Sequence, residues 1–198
     1  MKMVLCLFFV FMSFCTMSCI RGEGCMKGVL GEELPDDDEM LYGFIAKTSA
    51  VMGKKYGLSL TGIGGGGKEG EIRLMIAKFG RYGPPLTEQE ARALIVTCVN
   101  DFLQAANSDS QLRPYLKCYP FTIQHLRLSI VNRYRDGKDV FDPYITTVSA
   151  NEGELGYFTE DSLNEYGYKS EKYETYDEAV AILAGEKQKA AADAKPLP

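Results

Sequence analysis

Histidine is almost missing from this chain of 198 residues, where His125 stands alone. A structural zinc centre therefore has no basis, since Cys19, Cys25, Cys98 and Cys118 do not supply the close ligand spacing it needs. Positive charge is scarce as well: 22 basic side chains face 27 acidic ones, for a net charge of −5. That balance argues against nucleic-acid binding, which needs a cationic face to neutralise phosphates, and against a polybasic membrane patch. Catalytic signatures are absent too, with no GxSxG elbow, no HExxH and no serine–lysine motif. No motif points to a cofactor, and there is no internal repeat.

What the chain does have is gathered at its start. Lys2 is followed by 18 uncharged residues from Met3 to Ile20, rich in Leu, Phe, Val and Met. A charge-tipped apolar run ending at a small residue has the layout of a secretory signal peptide. Thr16-Met17-Ser18-Cys19 then resembles the cleavage box of bacterial lipoproteins, with Thr16 where a large aliphatic usually stands. The resemblance covers the leader alone. It implies that residues 1–18 are removed, that Cys19 carries lipid, and that residues 19–34 form a flexible tether. Ile20 follows Cys19 in place of the aspartate that retains lipoproteins in an inner membrane, so the outer membrane is favoured. By the same resemblance the partners are a membrane, held through the N-terminal lipid, and an envelope protein. Two alternatives stay open: an uncleaved membrane anchor, for which 18 residues is at the short end, and plain secretion. Each places the folded part outside the cytoplasm.

Residues 35–184 read as a single α+β domain, with residues 185–198 as a frayed tail. Asp36 to Glu39 collect where a helix should begin. Leu41, Phe44, Ile45, Thr48, Val51, Met52 and Tyr56 recur at helical spacing, and Gly57 supplies a stop. Leu58–Thr61 reads as a short strand, Gly62–Gly70 as a flexible connection, and Glu71–Phe79 as the strand that completes a hairpin. After Pro84-Pro85, Thr87 and Glu90 make a capping box for a helix ending near Asn107. Strands are expected over Phe121–Val131, Phe141–Ser149 and Leu155–Phe158, followed by a last helix capped by Thr175 and Glu178. The order α-β-β-α-β-β-β-α, with one long helical crossover, predicts an α+β fold: a mainly antiparallel sheet with helices on one face.

Few residues offer chemistry. The glycine run formally contains GxGxxG and GxxxxGK, but Glu69 stands where a phosphate loop needs Ser or Thr, and a strand pattern follows where it needs a helix. His125 falls mid-strand with Cys118 seven residues before it. An exported enzyme or small-ligand binder using these two near the glycine run is the alternative to a non-catalytic protein. Cys98 continues a helix's apolar face, and whether it pairs with Cys118 stays open. The third feature is charge. Arg113, Lys117, Arg127, Arg133, Arg135 and Lys138 cluster against the single acid Asp136, and nine acids with five tyrosines crowd Asn151–Glu178. These segments meet each other on one sheet, are simply solvated faces, or face a partner. Tyr157, Tyr166, Tyr168, Arg127, Arg133 and Arg135 are the candidate contacts, because tyrosine joins contact area to a polar tip.

Overall fold

A computed structural model describes residues 36–68 and 70–193, and at 164–166 and 190–193 it describes the backbone only. The chain runs α1 (Asp37–Tyr56), β1 (Leu58–Lys68), β2 (Glu71–Tyr82), α2 (Glu88–Ser108), β3 (Leu126–Arg133), β4 (Thr147–Asn151), β5 (Glu154–Asp161), β6 (Asn164–Thr175) and α3 (Tyr176–Asp193). Among the described residues six strands form one sheet in sequence order. All neighbours are antiparallel except β2 and β3, which are parallel and joined through α2.

Local chemistry accounts for the helix ends. Asp36 accepts a hydrogen bond from the Glu39 amide at 2.7 Å, and three acids occupy the first turn of α1. Gly57 ends that helix at φ 67°, the left-handed conformation glycine adopts without strain. Thr87 and Glu90 bond each other's backbone amides at the start of α2, and Thr175 and Glu178 repeat this box at α3.

The core lies between the sheet and the helices. Met75, Ala77 and Phe79 of β2, Leu126, Leu128 and Ile130 of β3, and Val148 and Ala150 of β4 are all buried. They meet Leu41, Phe44 and Ile45 of α1 and Ile95, Val99 and Phe102 of α2. Phe44 and Phe102 pack edge to face at 5.5 Å and join the two helices. Burying this apolar surface supplies the main drive to fold, at roughly 25 cal/mol per Å².

Five elements differ from expectation. The glycine run is not a loop: Gly62–Gly67 continue β1, and the chain reverses only between Lys68 and Glu71. Glycine is needed there because the strands crowd. A Cβ on Gly67 would collide with the Glu71 carbonyl, and one on Gly65 with the Leu74 carbonyl. Ile123–His125 is a turn of 3-10 helix, so β3 starts at Leu126. The next strand starts at Thr147, not Phe141, because Asp142 and Pro143 form a turn and Ile145 bridges to Leu86 instead. A sixth strand, β6, was not expected; its alternating charges and tyrosines hid it. Finally, α3 continues beyond Gly185 to Asp193, burying Ala179 and packing Leu183 while Val180 and Ile182 stay exposed.

Candidate functional site

Strand alternation sends every second side chain to the face away from the helices. On that face the register lines up Lys78, Ser129, Ser149, Gly156 and Tyr173 across β2 to β6. The next row is Gly80, Val131, Thr147, Phe158 and Glu171. Small side chains in the middle leave the backbone shallowly covered. At the β5–β6 side the Phe158 ring lies 4.7 Å from that of Tyr168 and 5.7 Å, edge-on, from that of Tyr173. The cluster depends on Gly156: a Cβ there would sit 2.7 Å from the Phe158 ring. Tyr168 and Tyr173 are both about half exposed.

Tyr157 does not belong to this surface. At 2% exposure it is buried on the helix side, where its hydroxyl donates to Glu174. Glu174 also receives Arg92 Nε at 2.7 Å and Arg92 Nη2 at 3.2 Å, a two-pronged pair between α2 and β6. A third contact reaches Glu88 at 2.6 Å, which in turn meets Lys172 at 2.6 Å. The Glu174 hydrogen bond and the neighbouring carboxylates outweigh burial and raise Arg92 above its ordinary range, so this buried cation stays charged. Burial, then the Glu174 carboxylate, push the Tyr157 hydroxyl up, so it remains a donor. Alternation explains the failed expectation: Tyr157 faces inward because Phe158 faces outward.

The other candidate residues divide. Arg127 on the uncovered face pairs with Glu152, and Arg133 pairs with Asp139 at 3.0 Å. Both ion pairs are half exposed, and the basic strand thus finds its acids within the chain. Arg135 is exposed in the β3–β4 connection. Tyr166 lies in β6 with its side chain outside the described residues, as do Cys19, the leader and the tether. Phe158 and Tyr173 were missed as candidate contacts. Their signal in the sequence is alternation with Tyr157 and Glu174, the two residues turned inward.

Cys118 and His125 do come together. The sulfur lies 3.4 Å from Nε2 and 3.7 Å from Nδ1, and the Thr122 hydroxyl is 3.2 Å from Nδ1. Such nearly equal separations put the sulfur out of the ring plane, because an in-plane atom at those distances would overlap Cε1 or the Cγ–Cδ2 bond. A base that takes a thiol proton needs it along a nitrogen lone pair. The ring instead packs beside Phe121 at 5.1 Å. Cys98 is separate and buried, its thiol pushed up to about 12 by burial and by Asp101. Both cysteines are free.

A groove of about 670 Å³ runs between α1 and α2, lined by Phe44, Val51, Met52, Lys55, Asp101 and Ala105 among others. It contains neither Cys118 nor His125, nor any residue of the glycine run. At its rim Asp101 accepts from Lys55 Nζ and from the Tyr56 hydroxyl, each at 2.6 Å. Among the described residues no three His, Cys, Asp or Glu side chains gather as a metal site would require, and no helix is long and apolar enough to cross a membrane.

Comparison with protein-family models, with curated proteins and with solved structures finds no match.

Proposed function

We propose that this chain is a bacterial envelope lipoprotein, lipidated at Cys19, whose domain has a non-catalytic interaction or structural role. The observation that carries the interaction role is the sheet face that none of the described helices covers, with Phe158, Tyr168 and Tyr173 stacked on it. Aromatic side chains that are exposed yet held in place lose little entropy on contact, which is why such groups anchor interfaces. The partner is an envelope protein, met by the aromatic cluster with Arg127 and Arg133 at the borders of the face. Anchoring rests on the leader and its box before Cys19.

Intact mass of the protein recovered from membranes of a bacterial host tests the anchor. A chain beginning at Cys19 with added diacylglyceryl and acyl mass, absent from Cys19→Ala, is expected. A full-length mass would replace the lipid with an uncleaved span, and an unmodified shortened chain would make the protein a soluble export.

A photo-reactive residue at Tyr168 tests the face, and a discrete adduct that Tyr173→Ala weakens is expected. The second reading is an exported enzyme or small-ligand binder that uses Cys118 and His125, whose sulfur and ring lie 3.4 Å apart. Substrate turnover by the purified protein, abolished by Cys118→Ser, would put that reading in place of this one.

A further inference from the structure

The two edges of the sheet are treated differently. On β6, Lys169, Glu171 and Lys172 line the strand, and charged edges of this kind discourage pairing with another chain. On β1 the edge from Gly62 to Gly67 carries one side chain larger than hydrogen, Ile63, and among the described residues β1 pairs with β2 alone. Its outward backbone groups form a template that any extended segment can extend.

Apolar side chains flank this edge. Leu60 and Ile63 stand opposite Phe79 and Ala77, so they lie on the helix side of the sheet, yet they are 39% and 43% exposed. On α1, Phe44, Val51 and Lys55 face the groove toward α2. At 100° per residue, Tyr42, Ala46 and Gly53 then fall on the opposite flank, over the β1 edge. Gly53 confirms the placement, since a Cβ there would touch the Leu58 carbonyl at 2.7 Å. Tyr42 is 40% exposed.

We infer that β1 pairs antiparallel with β1 of a second copy, joining two sheets into one across a two-fold axis. The charge pattern selects this occupant. Helix α1 runs opposite to β1, because Leu41 lies against Gly65 while Tyr56 leads directly into Leu58. Two-fold pairing therefore lays two α1 helices side by side and antiparallel. Asp38 and Glu39 of one then approach Lys54 of the other, twice over. Tyr42, Leu60 and Ile63 of both copies are covered in the same step.

Sedimentation of the full-length chain in density-matched detergent, under reducing conditions and across a wide concentration range, tests this inference. A monomer–dimer equilibrium is expected, with Ile63→Lys raising the dissociation constant at least about tenfold by placing a charge at the joint. Val51→Lys, on the groove flank, is expected to leave it unchanged. A wild-type chain that stays monomeric, or a dimer that Ile63→Lys leaves intact, would overturn the inference. If Ile63→Lys does not fold, hydrogen exchange decides on the wild type alone. Amides of Gly62–Gly67 whose protection rises with protein concentration support the dimer; protection that is absent or independent of concentration rejects it. The outcome is separate from the proposed envelope role, which concerns the sheet face and not its edge.

Discussion

At the scale of single residues, the Arg92–Glu174 pair decides more than any exposed charge. Their side chains are only 7% and 9% exposed, so the two charges are paired out of reach of solvent. Removing one partner leaves a buried charge without its match. Glu174→Gln is expected to destabilise the protein by about 3 kcal/mol, at the low end of the usual range because Glu88 still holds Arg92. Urea denaturation measures it, and a loss below about 1 kcal/mol would mean that the pair is solvated like a surface bridge. The Asp101 cluster offers a second residue-level test, through pH. Burial pushes the Asp101 carboxyl up, but hydrogen bonds from Lys55 and Tyr56 together outweigh it and hold the group below its ordinary 3.8. A carboxyl lowered in the folded state adds stability that is full above its unfolded value and disappears as pH falls through the folded one. Lys55 is 55% exposed, so solvent screening keeps the gain small. The gap between wild type and Asp101→Asn should therefore be present at neutral pH and close under acid. A gap constant with pH would assign the loss to packing.

At the scale of elements, helix starts are where sequence and structure agree, and strand phase is where they part. Thr87 and Glu90 announce α2 because their bonds are local, three residues apart. Thr87→Ala should cost about 1 kcal/mol in thermal or chemical denaturation, and no loss would mean that the helix start is held by tertiary packing. Strand faces depend on partners far along the chain. Tyr168 and Tyr173 are an odd number of residues apart, so strict alternation puts them on opposite faces. A register shift opposite Thr159 and Glu160 brings both beside Phe158. Nothing local marks that bulge. The glycine run misleads for a related reason: glycine usually signals a turn, but here it allows β1 to lie close against β2, a demand set by the partner strand. The alternation of Leu126, Leu128 and Ile130 suggests a strand that includes His125, but the 3-10 turn at Ile123–His125 is what brings it to Cys118.

For the whole molecule, the α+β class and the single helical crossover were readable because hydrophobic period and connection length constrain topology strongly. The site was less so, since which tyrosines face outward depends on register. Charge gives the last test at this scale. With 27 acidic against 22 basic side chains, the protein as a whole is repelled by an anionic bilayer surface, and electrostatics cannot hold it there. Two or more acyl chains at Cys19 would hold it firmly, at roughly 0.8 kcal/mol per buried methylene, and that attachment is indifferent to ionic strength. Washing membranes with high salt should therefore release none of the wild-type protein, while detergent releases all of it. Release by salt would show an ionic attachment that this composition does not provide, and would redirect attention to a protein receptor met by the uncovered sheet face.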